Sequence, residues 1–171
     1  MATRKPKPIP EGYHTVTPYL VVNDAAAAID FYKRAFGATE VMRMPRPDGK
    51  IGHAELKVGD SMIMLTDETP QAGMRSPHTL GGSPVGIFLY VKDVDAMFSQ
   101  ALAAGARSDM PVTDMFWGDR YGKLTDTFGH QWHLATHKED VAPQEMQKRA
   151  AESMATMGQH AHHTEGAQGA S

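Results

Sequence analysis

The chain contains an internal repeat in which the same strand-and-helix pattern occurs twice. The first copy, YLVVNDAAAAIDFYKRAFGA, surrounds Leu20, and the second, FLYVKDVDAMFSQALAAGA, surrounds Leu89. At one constant offset, the matched pairs are Val22 with Val91, Asp24 with Asp93, and Ile29 with Phe98. A repeated unit of this kind cannot bury its apolar face alone, so two similar half-domains must pack together. The repeat therefore predicts two modules with a binding cup between them.

Composition narrows the function classes. With 171 residues, 41% hydrophobic and 22% charged, the chain is typical of one globular domain with a substantial core. The net charge of −3 gives no basic surface of the kind that nucleic-acid binding needs. There are no cysteines, so disulfides and thiolate metal sites are excluded. No apolar run has the length of a secretory signal or a membrane span, which favours a cytoplasmic protein without a membrane partner.

The periodicity predicts the order of elements in each module. Asp24 and Asp93 are placed to cap two amphipathic helices, and Gly37 and Gly105 to end them. The predicted strands are His14–Val22, Glu40–Arg43, Ile51–Val58 and Ser61–Thr66 in module one, and Val85–Val91, Arg107–Val112, Tyr121–Thr125 and Gln131–Ala135 in module two.

The domain boundaries follow from these elements. Residues 1–12 form a proline-rich, flexible lead, and residues 13–138 form the domain, with module one at 13–68 and module two at 84–138. A C-terminal helix is predicted within 139–157, beginning at Pro143. Residues 158–171, which include His160, His162 and His163, are low in apolar content and are predicted to be a disordered tail.

Three stretches of the chain resemble a known superfamily. They are HAELKVGDSMIMLTDE, FWGDRYGKLTDTFGHQWHLATHKED and, inside the latter, the run DTFGHQWHL at residues 126–134. Together with the repeat, they resemble the vicinal oxygen chelate (VOC) superfamily of glyoxalase I, bleomycin-resistance proteins, fosfomycin-modifying enzymes and extradiol dioxygenases, and its PhnB-like branch. The resemblance implies an α+β fold in which two βαβββ modules in tandem form a cup-shaped half-barrel. It also implies a homodimer.

The same resemblance implies four positions at which metal-dependent members hold a divalent cation. In this chain they carry Thr17, Met64, Gly86 and His133. Thioether sulfur suits soft metals and glycine has no side chain, so only His133 is a good ligand. One imidazole does not hold a metal where sites normally use three or four protein ligands. The inherited metal site is therefore predicted to be absent, and the identity of any cofactor is left open.

The alternative to the inherited metal site is a metal or catalytic site at other positions of the cup. His53 and Glu55 share one face of a predicted strand and could supply two metal ligands, or a general base with its orienting carboxylate. With His133 from across the cup, they would make a three-ligand metal site. The competing interpretation is a surface strand with both side chains in solvent.

Strand alternation predicts the lining of the cup. The side chains on the cup face are Thr17, Tyr19, Met62, Met64, Phe88, Tyr90 and Gln131. Phe116 and Trp117 could form a lid, and Arg120 could pair with a ligand anion; alternatively, this loop is a turn whose aromatic rings close the barrel. Asp67 and Glu68 are predicted to be solvated. A lining of Met, Phe and Tyr suits a small, partly aromatic or amphipathic ligand.

Three functions remain open at this point. The first is a glyoxalase-like protein that either binds a small organic molecule or catalyses a lyase or isomerase step, with any catalysis running through His53, Glu55 and His133. The second is a module that sequesters its ligand without chemistry, as bleomycin-resistance proteins do. The third is a dioxygenase-like enzyme, which would require a triad of two histidines and one carboxylate.

Overall fold

The secondary structure follows the repeat. A computed structural model describes residues 6–165, and its account of side chains ends at residue 156. The strands are β1 (Tyr19–Val22), β2 (Thr39–Pro45), β3 (Ile51–Val58), β4 (Ser61–Asp67), β5 (Gly86–Tyr90), β6 (Arg107–Asp114), β7 (Asp119–Thr125) and β8 (Gln131–His137). The helices are α1 (Ala25–Phe36), α2 (Pro77–Leu80), α3 (Val94–Ala104) and α4 (Pro143–Glu165), with a short 3-10 helix at Pro70–Ala72.

Each module forms one open four-stranded sheet. The strand order is β1-β4-β3-β2 in module one and β5-β8-β7-β6 in module two. In each sheet the first and fourth strands pair in parallel, and the remaining neighbours pair antiparallel. The predicted α+β fold of two βαβββ modules forming an unclosed cup is therefore confirmed.

Helices α1 and α3 have the predicted caps at their N-termini and C-termini. The Asp24 carboxylate accepts a hydrogen bond from the backbone N–H of Ala27 at 3.0 Å, and Asp93 accepts one from Ala96 at the same distance. Gly37 ends α1 with φ 65°, a left-handed conformation that glycine adopts without steric cost. The repeated Asp and Gly therefore set the length of α1 and α3.

One hydrophobic core spans both modules. Helix α1 packs against α3. The rings of Phe36 and Trp132 lie 4.5 Å apart across the boundary between modules. Beneath them, the buried Asp126 carboxylate accepts hydrogen bonds from the Tyr32 hydroxyl at 2.7 Å and from Trp132 Nε1 at 2.8 Å. The helix-facing side of each sheet is therefore buried in the core. The opposite side of each sheet is free to bind a ligand.

Two boundaries differ from the prediction. Strand β1 begins at Tyr19 and not at His14, because Pro18 has no N–H to donate to a ladder. Helix α4 begins at Pro143 as predicted but continues beyond Met157 to Glu165, since Gly158 weakens a helix far less than proline would and no proline follows it in this range. Residues 166–171 of the predicted tail, and the side chains of its histidines, lie outside the described residues.

None of the helices within residues 6–165 is long and apolar enough to cross a membrane.

Asp67 is buried, so the prediction that it is solvated is wrong. Its side chain is 4% exposed. One carboxylate oxygen accepts from the backbone N–H of Ala25 at 2.9 Å, and the other from Ile51 at 2.7 Å. A free helical amide and the first amide of a strand both need an acceptor when they are buried, and Asp67 supplies it.

Candidate functional site

A cavity of about 570 Å³ lies where the free edges of β1 and β5 approach each other. We call it the inter-module cavity. It is lined by Val16, residues 18–21, Arg75, Pro77, Leu80, residues 82–88 and His130. Module one contributes Tyr19 and module two contributes Phe88, each from the face opposite the core. Its volume lies in the range of small-molecule sites, and most of its lining is apolar.

A second cavity of about 560 Å³ lies on module one, and we call it the module-one cavity. Its lining is Pro8, Ile9, Pro10, Tyr13, His14, Thr15, Thr17, Glu55 and Met64. Part of the segment predicted to be a lead therefore belongs to the site. Thr17 and Tyr19, which alternation assigns to one cup, line different cavities, because the chain around Pro18 is not a regular strand.

His53 and Glu55 form a pair at the module-one cavity. His53 Nε2 lies 3.2 Å from Glu55 Oε1, both side chains are about four-fifths buried, and the Tyr19 ring stacks on the imidazole at 5.8 Å. The buried Tyr13 hydroxyl lies near Glu55 without completing a hydrogen bond to any described group. Burial and the Glu55 charge raise the pKa of Tyr13 to about 12, while Tyr13 and His53 lower the pKa of Glu55. The carboxylate is therefore ionised and the phenol protonated at neutral pH.

His133 has a separate environment on module two. Its Nδ1 lies 2.6 Å from the Tyr121 hydroxyl, and its ring stacks on Phe88 with an interplanar angle of 11°. A Cβ at Gly86 would collide with His133 Nε2, so the imidazole occupies the space that a side chain would take there. Burial, and to a lesser degree Lys123, lower the pKa of His133, which favours the neutral imidazole.

The proposed displaced metal site does not form. His133 is held by Tyr121 and Phe88 on module two, away from the His53–Glu55 pair on module one. Within residues 6–156, no group of three or more His, Cys, Asp or Glu side chains could hold a metal ion. The side chains at the four inherited positions also do not fit a hard or borderline cation.

Asp119 organises the aromatic face of module two. Its buried carboxylate accepts from the Tyr90 hydroxyl at 3.0 Å, from Trp117 Nε1 at 3.1 Å and from His137 Nδ1 at 2.8 Å. Asp119 and then Asp140 raise the pKa of His137. The bond from Trp117, which lies in the turn between β6 and β7, anchors the indole to the first residue of β7, and Phe116 packs edge-on against it at 5.0 Å. This arrangement favours the alternative of a fixed turn over that of a lid.

Arg120 is engaged by carboxylates of the chain itself, which does not favour its predicted role of pairing with a ligand anion. Its guanidinium makes two hydrogen bonds of 2.7 Å to Asp95 and one of 3.1 Å to Asp114. These carboxylates raise its pKa further above the ordinary value. An arginine that is already paired on both edges has little capacity left for an anion.

Three further residues of the predicted lining line neither cavity: Met62, Tyr90 and Gln131. Met62 is 6% exposed, pairs with Lys57 across the β3–β4 ladder and lines neither cavity. Gln131 lines a separate, smaller cavity with Arg107 and Thr125. Alternation assigns Met62 and Gln131 to the sheet faces that form the cup. The two larger cavities cover only part of those faces, so a residue on a cup face does not always line a cavity.

Sequence reasoning missed Tyr13 and Tyr121. No local pattern marks Tyr13, because its contact with Glu55 depends on how the N-terminal segment crosses module one. Tyr121 could have been found from the pairing of β7 with β8. Lys123 pairs with His133, and alternation places Tyr121, two residues before Lys123, on the same face of the sheet as His133.

Comparison with known proteins agrees with the fold. The model of the Glyoxalase/Bleomycin resistance protein/Dioxygenase superfamily matches residues 13–134. The protein Mb0911c of Mycobacterium bovis is 50% identical over 135 residues, covering 77% of this chain and 89% of its own. The crystal structure of TioX from Micromonospora sp. ML1 has a TM-score of 0.58 and 29% identity, covering 72% of this chain and 98% of its own. A gene product of Arabidopsis thaliana, At5g48480, has a TM-score of 0.58 and 30% identity, covering 71% and 98%.

These matches extend over most of both modules and agree with the two-sheet topology. The chain belongs to the glyoxalase/bleomycin resistance protein/dioxygenase superfamily.

Proposed function

We propose that this protein binds a small, partly aromatic or amphipathic organic molecule in the inter-module cavity. The observation that carries the proposal is the apolar cavity of about 570 Å³ to which Tyr19 and Phe88 are supplied by different modules. Phe88 is 45% exposed and Tyr19 is 43% exposed, so both rings are available to a ligand. Exposed aromatic groups at a concave site are the usual means of binding such molecules.

Replacing Phe88 with alanine is expected to weaken binding of an aromatic acid, α-naphthaleneacetic acid, by about tenfold or more, because a central aromatic contact is lost. Isothermal titration calorimetry of the full chain measures this change. Val41→Ala is the matched control, since Val41 is an exposed apolar residue that lines neither cavity. Unchanged affinity in Phe88→Ala would place the ligand elsewhere and contradict the proposal.

A second function, a proton-transfer step of the lyase or isomerase type, is supported by the His53–Glu55 pair. The two side chains lie 3.2 Å apart, largely shielded from solvent, and Glu55 lines a cavity. This arrangement can orient an imidazole as general base. Tyr13, whose hydroxyl has its pKa raised to about 12 and is protonated at neutral pH, lines the same cavity beside Glu55.

For this function, the chain is expected to accelerate exchange of the α-protons of naphthylacetone into deuterium oxide, as followed by proton NMR. His53→Gln should reduce the protein-dependent exchange by at least about a hundredfold, the lower end of general-base contributions. Binding of α-naphthaleneacetic acid should change by less than about threefold in that variant, because His53 does not line the inter-module cavity and meets it only through the stacked Tyr19 ring. Binding without exchange in the unmodified protein would support sequestration alone.

A further inference from the structure

The inter-module cavity has one formal charge in its lining. Of the lining residues, Arg75 alone is an arginine or lysine, and none is aspartate or glutamate. The chain as a whole has a net charge of −3, so this local excess of positive charge differs from the overall balance. A cation at the rim of an apolar cavity selects for a ligand that is apolar in its body and negative at one end.

Arg75 also has no partner within the part of the chain that the structure describes, where its guanidinium makes neither an ion pair nor a hydrogen bond. The arginines that do bond a carboxylate are Arg43, Arg46, Arg107, Arg120 and Arg149. An exposed arginine with all its N–H groups free can bind a carboxylate in the bidentate geometry that guanidinium favours.

Besides Arg75, the lining contains the polar side chains of Tyr19, Ser83 and His130, and the last two are already hydrogen-bonded. His130 Nε2 lies 3.0 Å from the Val21 carbonyl oxygen, and the Ser83 hydroxyl donates to the Val85 carbonyl at 3.1 Å. Both groups are thus engaged with backbone. Charge recognition at this cavity falls to Arg75.

We infer that the ligand of the inter-module cavity is an amphipathic monocarboxylate, with its apolar or aromatic body between β1 and β5 and its carboxylate on Arg75. This inference rests on the proposed binding function and specifies the class of ligand. It assigns Arg75 as the residue that distinguishes an acid from an uncharged molecule of the same shape.

The test compares two probes that differ in charge but hardly in shape, α-naphthaleneacetic acid and α-naphthaleneacetamide. Titration calorimetry of the full chain should show the acid binding about tenfold tighter than the amide, as expected for a hydrogen-bonded charge pair. Arg75→Gln should remove that difference by weakening the acid and leaving the amide within about twofold. High salt should reduce the difference in affinity between the acid and the amide in the unmodified protein, because it screens the exposed charge pair of Arg75 and the ligand carboxylate.

Arg34→Gln is the matched control, since Arg34 is an exposed arginine on α1 that also lacks a carboxylate partner among the described residues. Equal losses of acid binding in Arg34→Gln and Arg75→Gln would mean a long-range charge effect and overturn the inference. Equal binding of the two probes by the unmodified protein would also overturn it while leaving the proposed binding function intact. Binding of neither probe at millimolar concentration would contradict the binding function itself, and the inference with it.

Discussion

Replacing Asp126 with alanine is expected to destabilise the protein by about 4 kcal/mol or more, because two buried side-chain donors and two buried backbone N–H groups would lose their acceptor, each at a cost of roughly 1–3 kcal/mol. The Asp126 carboxylate accepts from the Tyr32 hydroxyl and from Trp132 Nε1, and both of these side chains are fully buried. It also accepts from the backbone N–H groups of Phe128 and His130, each at 2.9 Å. A single carboxylate therefore joins α1 of module one to the turn that precedes β8.

Urea unfolding followed by tryptophan fluorescence measures this loss, with Asp60→Ala as the control. Asp60 is exposed in the β3–β4 turn and accepts a hydrogen bond only from the neighbouring Ser61 hydroxyl among the described residues. The control should change the free energy of unfolding by less than about 0.5 kcal/mol, as surface substitutions usually do. A change as small as that in Asp126→Ala would show that water satisfies the buried donors.

Gly86→Ala is expected to displace His133 and to destabilise the protein by about 2 kcal/mol, within the range for overpacked sites. The new Cβ would collide with His133 Nε2 and lie 2.6 Å from Cδ2, and a ring stacked on Phe88 and bonded to Tyr121 cannot retreat freely. Burial now lowers the pKa of His133, so movement of the ring into solvent should raise that pKa towards the ordinary value of about 6.5.

Proton NMR titration of the histidine resonances follows this pKa, and urea unfolding follows the stability. Gly52→Ala is the matched control, because its new Cβ would lie 3.0 Å from Arg46 Cγ, a tight contact but not a collision, and none of its nearest atoms belongs to His133. A His133 pKa that stays depressed in Gly86→Ala would mean that the strand shifts instead of the imidazole.

The elements that depend on local pattern were predicted closely. Strand β3 begins and ends at the predicted residues, Ile51 and Val58, because its apolar and polar residues alternate between one buried and one open face. Both helical caps formed as expected, since an Asp side chain reaches amides within its own first turn. The prediction of β1 began too early because alternation was extended through Pro18, which cannot join a ladder.

The site was predicted less well, because its side chains meet through contacts between distant segments. His53 and Glu55 were recognised as a pair since they lie two residues apart on one strand, and they are in contact. Arg120 was assigned to a ligand, but Asp95 on α3 binds its guanidinium. Arg75 lies in an irregular linker, where no periodicity indicates which way a side chain points.

The amino-acid sequence by itself determined the two-module architecture. The repeated strand, Asp cap, helix and closing glycine each depend on residues close together in the chain, so the pattern predicts both modules. The tertiary structure alone decided which side chains share a cavity. Strand alternation gives the face of each residue, but the distance between two faces depends on how the sheets pack. That packing separated His133 from His53 and Glu55, and it placed Arg75 at the only cationic position around the cavity between β1 and β5, within the residues described.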